Sequence, residues 1–284
     1  MYLIGAMFSF LAVLMYIGEM EITKKLFEKI EVENHLVTKL LITMPILIAL
    51  VFIEPKLLLA GLVPCIIYGL CGLIKILLLF SAVNKGDVLI ADTTAKLTLI
   101  FVLIIDLSFG FITLDFFKYV AIAIFIYGFC LATDLIGKHQ SIDWHSDNYK
   151  ALLMGVVASI FRAGQAYILK YIVINSLASI VVIMLINNMV QFLVLYLHKR
   201  PNVLAPLKGN IKAYIFIGIF TALITVFRGY AISLSSATLN ELITSSSVIL
   251  IVLLETFFYK KIKTKLEYLG SALIAMSLIY IILY

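Results

Sequence analysis

A chain of 284 residues in which 63% are hydrophobic and 13% charged cannot keep its surface in water, because soluble domains carry about 25% charged residues. With a mean hydropathy of +1.13 it reads as an all-α polytopic membrane protein in contact with the lipid bilayer, with no soluble domain left over. The formal charge of +6 does not point to nucleic acid, since the Lys and Arg stand in short breaks at helix ends rather than on one continuous face.

Ten apolar stretches are each long enough to span hydrocarbon, at roughly 2–27, 36–53, 57–80, 86–107, 115–136, 149–171, 176–197, 210–232, 236–259 and 265–283. The first follows Met1 with no basic segment and is succeeded by further spans, so a retained helix is expected rather than a cleaved signal. Pro45 and Pro64 interrupt the second and third spans, where kinks are expected and freed carbonyls need neighbours. Cys65, Cys71 and Cys130 lie in apolar helical sequence and behave as small hydrophobes. The histidines fall in or near polar breaks. His139 and His145 flank Asp143 without four-ligand spacing, so a solvated loop is expected there and no metal site.

Two stretches repeat. Gly18-Glu19-Met20-Glu21-Ile22-Thr23-Lys24 lines up with Gly164-Gln165-Ala166-Tyr167-Ile168-Leu169-Lys170, each closing the first span of its half. At a nearly equal offset, Asp92 to Asp106 lies over Glu241 to Glu255. Five spans per half is an odd number, so the second half enters the membrane opposite to the first, giving inverted repeats around a central site. The expected division is 1–136, a connecting loop 137–148, and 149–284. Charge placement agrees: Lys118 stands alone after the fourth span, whereas Lys260, Lys261, Lys263 and Lys265 follow the ninth. By the positive-inside rule, Lys24, Lys25, Lys29 and Lys39, the run from Lys199 to Lys212 and that from Lys260 to Lys265 mark cytoplasmic loops, which places both chain ends outside.

Ionisable groups at membrane depth cost at least ~2.5 kcal/mol each and normally face a cavity, a partner or a ligand. Arg162 lies near the middle of its span with no acid within a turn, so its partner comes from another helix or from a ligand; Glu19, in the equivalent half, is the expected protein partner. Asp92 and Lys96 stand one turn apart on a helix face and could either neutralise each other or contact substrate. Glu241 lies in the ninth span. Gln165 and Tyr167 occupy the positions of Glu19 and Glu21 in the second repeat, and Asn188 belongs, with Asn187 and Gln191, to a polar face of the seventh span. These eight, Glu19, Asp92, Lys96, Arg162, Gln165, Tyr167, Asn188 and Glu241, form the candidate substrate site. Arg228 is expected to snorkel as an anchor, Lys75 to do likewise, and Asp106 and Glu255 to be interfacial. No Walker-type loop, zinc-ligand helix or serine elbow is present, so no enzyme activity and no cofactor is expected, and transport would draw on gradients.

Lys85-Gly86-Asp87-Val88-Leu89-Ile90-Ala91 leading to Lys96-Leu97-Thr98, Ser235-Ser236-Ala237 through Val252-Leu253-Leu254-Glu255, and the lysine-ended Ile22-Thr23-Lys24-Lys25 and Ile168-Leu169-Lys170 resemble the drug/metabolite transporter superfamily in its EamA-type ten-helix form. Ile17-Gly18-Glu19 departs from that family's aromatic-glycine first helix. The resemblance implies a permease of a prokaryotic inner membrane, carrying small metabolites by alternating access between two inverted five-helix bundles, with cytoplasmic termini where the loop charges favour outside. The acid and base content of the helices points to a small-molecule substrate that is polar and charged or zwitterionic, with proton coupling through Glu19 and a homodimer both open. Two other readings stand beside it: a flippase for a phosphorylated lipid-linked headgroup, with Arg162, Lys96 and Arg228 on the phosphate, and a non-transporting scaffold subunit.

Overall fold

The computed structural model describes residues 2–27, 30–85, 97–109, 115–132, 147–257 and 264–283. Leu, Ile and Val runs dominate them, and a chain segment surrounded by hydrocarbon must satisfy its backbone internally, which helices do. The described residues are accordingly all-helical: α1 Tyr2–Phe27, α2 Val32–Val51, α3 Leu59–Lys85, α4 Thr98–Ser108, α5 Phe116–Ala132, α6 Asp147–Ile174, α7 Ile180–Lys199, α8 Ile211–Leu234, α9 Ala237–Ser245, α10 Ser247–Phe257 and α11 Lys265–Leu283. Five of them, α2, α3, α6, α7 and α8, are long and apolar enough to cross a membrane. Asp92 and Lys96 lie outside the described residues, as do His139, Asp143 and His145.

The helix ends follow from local chemistry. The Ser179 hydroxyl accepts from the Val182 amide and caps α7, and Ser236 does the same for Leu239 at the start of α9. Arg200, with φ +46°, closes α7 in the left-handed region, and Pro201 prevents its continuation. Both Pro45 and Pro64 sit within helices that continue through them. The ninth span, expected as one helix, is interrupted at Ser246. There, side-chain hydroxyls of Thr244 and Ser246 bond back to the carbonyls of Asn240 and Ile243 at 2.7 and 2.6 Å, competing with the helical ladder.

Polarity is arranged inside out. Leu3, Met7, Phe10 and Leu14 form one exposed stripe of α1, and Leu59, Leu62, Val63, Ile66 and Leu70 another on α3, a surface far more apolar than a monomer in water tolerates. Glu19, His35, Asp106, Gln165, Asn187, Asn188, Gln191 and Glu241 are buried. The apolar faces suit hydrocarbon, and the polar groups turn inward.

Helix pairing is regular. The chain packs α1 on α8, α3 on α6, α2 on α7 and α5 on α11; α3 also touches α7 and α2 touches α8. Helices α2 and α7 run antiparallel and are fastened at both ends. At one end Leu57 and Ala178 form an antiparallel bridge, with the Leu58 amide on the Leu177 carbonyl and the Ser179 amide on that of Lys56, both at 2.8 Å. At the other, the Asn202 amide donates to Asn34 Oδ1 at 3.0 Å and the Thr38 hydroxyl to the Val203 carbonyl at 2.9 Å. The 20 residues of α2 between them measure about 30 Å at 1.5 Å per residue, the thickness of a bilayer's hydrocarbon core.

Candidate functional site

Glu241 is the centre of the charged interior. It stands on the short helix α9, which rests on α1, α4 and α8, and it is held there by its neighbours: Asn240 accepts from the Ser9 hydroxyl of α1 at 3.1 Å, and the Asp106 carboxylate of α4 accepts from the Thr238 amide at 3.2 Å and hydroxyl at 2.6 Å. Asp106 thus caps the first turn of α9, where a helix exposes its amides. This corrects the expectation that Asp106 lies at the interface: it is fully buried.

The Glu241 carboxylate, 2% exposed, receives two arginines. Arg162 of α6 donates through Nη2 to Oε2 at 3.0 Å, and Arg228 of α8 meets Oε1. One acid therefore serves two guanidiniums, and Arg228 does not snorkel; α8 carries Thr221, Thr225 and Arg228 at i, i+4 and i+7, a single face turned inward. The expected pair of Arg162 with Glu19 does not form. Glu19 instead pairs with Lys39 of α2, which lies inside a helix rather than in a topogenic loop.

A second cluster adjoins the first. On α3, Tyr68, Gly72 and Lys75 follow the same i, i+4, i+7 spacing. Lys75 Nζ donates to Gln165 Oε1 at 3.1 Å, and the Gln165 amide nitrogen donates to the Tyr68 carbonyl at 3.1 Å and to Asn187 Oδ1 at 3.3 Å. Gln191 donates to the same Asn187 oxygen at 2.9 Å. With the ammonium on its oxygen and two acceptors on its nitrogen, the orientation of the Gln165 amide is set by chemistry. Glycine is required at position 72: a Cβ there would come within 2.5 Å of Gln165 Nε2, 2.6 Å of Gln191 Nε2 and 2.7 Å of Asn187 Oδ1.

Between the clusters lies a cavity of about 100 Å³, lined by Lys75, Arg162, Gln165, Asn187, Thr225 and Arg228 among others. Of the candidate residues, the fold brings Arg162, Gln165 and Glu241 together here. Tyr167, on another face of α6, donates to the Val102 carbonyl of α4 at 2.8 Å, and Asn188 is buried on α7, its amide nitrogen without a hydrogen-bond partner among the described residues. Lys75, Asn187, Gln191 and Arg228 were read from sequence as anchors or packing groups; their common signal is the seven-residue polar stripe on α3 and α8 and the Asn187–Gln191 turn on α7. His35, expected near a polar break, is likewise buried in α2 with Nδ1 2.9 Å from the Tyr214 hydroxyl.

No family model and no curated protein matches the chain. A solved structure described only as "Crystal structure of protein" superposes with a TM-score of 0.77 at 14% sequence identity, covering 96% of this chain and 94% of that one. At that identity the likeness is one of fold.

Proposed function

We propose that the protein is a secondary transporter that moves a small polar, charged metabolite across a membrane by alternating access, in the manner of the EamA-type permeases that its sequence resembles. One observation carries the reading: the six most extensive helix packings map onto one another when the two halves are exchanged. Under the correspondence α1 with α6, α2 with α7, α3 with α8, α4 with α10 and α5 with α11, the packing of α1 on α8 becomes that of α6 on α3, and the packing of α3 on α7 becomes that of α8 on α2. Helices α2 and α7 have 20 residues each, and α4 and α10 have 11 each. Inverted repeats of this kind place the binding site at their interface, and in support of that the cluster joins Lys75 on α3 of the first half to Arg162, Arg228 and Glu241 on α6, α8 and α9 of the second.

The two fastenings of α2 to α7 then act as gates at opposite faces. Opening one while the other holds would expose the cavity to one side at a time. The test needs no knowledge of the substrate. In a chain with Cys65, Cys71 and Cys130 replaced, Thr225→Cys reports cavity access to a membrane-impermeant maleimide in oriented vesicles. Cross-linking a Leu57→Cys/Ala178→Cys pair is expected to leave Thr225→Cys labelled from one side alone, and cross-linking Asn34→Cys/Asn202→Cys from the other alone. Labelling indifferent to both cross-links would sink alternating access.

A further inference from the structure

We infer that the group bound in this cavity is an oxyanion, the carboxylate or phosphate of a small metabolite. The inference rests on the transporter reading and narrows its substrate.

The charges around the cavity do not balance. Around the cavity stand Lys75, Arg162 and Arg228, and the acid among them in the described residues is Glu241 alone. The ion pair of Glu19 with Lys39 cancels within itself, and the other buried acid, Asp106, accepts from the amide and hydroxyl of Thr238 at the start of α9. Lys75 makes its hydrogen bond to a neutral amide. A partly buried cation without a counter-ion loses more hydration than a neutral neighbour returns, so an anion between the three stabilises the arrangement.

Donors remain for it. Each guanidinium has five N–H groups in a planar fork that fits a carboxylate or phosphate edge, and Glu241 engages one terminal nitrogen of each arginine. Among the described residues the buried Nε of Arg162 has no partner. Among the described residues lining the cavity there is no carboxylate to receive a cation, and a cationic solute would enter against three like charges. Size agrees with a small group: pockets for drug-sized ligands run from about 300 Å³ upward, and the space here is about 100 Å³.

The experiment is thermal unfolding of the purified full chain at matched ionic strength, with sodium phosphate, malate and glycerol 3-phosphate as anionic probes, glycerol as neutral and putrescine as cationic probe, and micelles with phosphatidate or phosphatidylcholine as the lipid arm. Saturable stabilisation by at least one soluble anion is expected, absent with glycerol and putrescine, because whatever binds the folded state alone raises its stability. Lys75→Gln is expected to weaken the apparent affinity at least tenfold, and Lys75→Arg to restore most of it; unfolding without probe reports whether each variant folds. Stabilisation by phosphatidate alone keeps the oxyanion chemistry and assigns it to a lipid headgroup. Stabilisation by glycerol or putrescine alone, or by no anion, overturns the inference. If Thr225→Cys access still switches with the cross-links in that case, transport survives without an anionic cargo; if anions bind and access never switches, the site survives and transport does not.

Discussion

Under the two-repeat arrangement, Glu19 on α1 and Lys39 on α2 stand where Gln165 stands on α6 and Asn187 on α7. The pairs are made the same way, one side chain from the first helix of the half reaching one from the second. In the first half an acid answers a base. In the second an amide answers an amide, and its remaining oxygen goes to Lys75. Geometry is shared while charge is not: the first pair is neutral within itself, whereas the second turns an amide oxygen to Lys75 of α3, a cation from the first half, and leaves its charge uncancelled. If the two halves are copies of one scaffold, the same contact serves packing in one and holds a charged group in the other.

The largest test of this contrast is Glu241, the one acid among three cations. Glu241→Gln leaves two partly buried guanidiniums without a carboxylate and is expected to destabilise the chain by about 3 kcal/mol, seen as a large fall in the unfolding temperature of the purified protein. Combining it with Arg162→Met removes one of the stranded charges, so the double variant should recover part of the loss. A Glu241→Gln protein within about 1 kcal/mol of the parent, the scale of an ordinary substitution, would mean that the cluster is wet and screened rather than buried.

The pair itself can be rewritten. Glu19→Gln alone strands Lys39 and is expected to cost about 1–3 kcal/mol, the penalty for a buried group left unsatisfied. Adding Lys39→Asn copies the second half onto the first and should restore much of that. Conversely, Gln165→Glu writes the first half's acid beside Lys75; the chain should unfold no earlier, yet bind sodium phosphate or malate at least tenfold more weakly, since one unit of the positive excess is gone. Additive losses for Glu19 and Lys39, measured through the full double-mutant cycle, would show that the two side chains do not act as a pair.

Much of the fold was legible because hydropathy and helix length are local properties. The described helices begin and end within a few residues of the expected apolar stretches along most of the chain, and the break in the ninth escaped because it depends on the hydroxyls of Thr244 and Ser246 turning back to the helix's own carbonyls. The site was legible in part. Arg162 demanded a partner, but which acid it meets depends on how α9 sits between α1, α4 and α8, a long-range fact that no periodicity encodes. Lys39, Lys75 and Arg228 were hidden by a sound default, that long cations near helix ends reach for the interface; the i, i+4, i+7 alignment of Lys75 with Tyr68 and Gly72, and of Arg228 with Thr221 and Thr225, marks them as inward-facing.

The smallest expected effect tests the repeated motif where it began, at its glycines. Gly18 and Gly164 open the same heptapeptide, yet a Cβ at Gly18 would meet the Phe220 ring of α8 at 3.1 Å, whereas one at Gly164 meets nothing within 4 Å. Glycine inside a helix costs roughly 0.5–1 kcal/mol relative to alanine through the freedom lost on folding. Gly164→Ala should therefore stabilise the chain by about that amount, while Gly18→Ala must move the edge of an aromatic ring and should gain less or turn slightly unfavourable. If stability rises equally for both, α1 and α8 pack no more tightly at this step than α6 packs against its surroundings, and the two halves are more alike than their charges indicate. If Gly164→Ala stabilises the fold but slows the switching of Thr225→Cys labelling, the open space beside Gly164 is the room that α6 uses when the cavity changes sides.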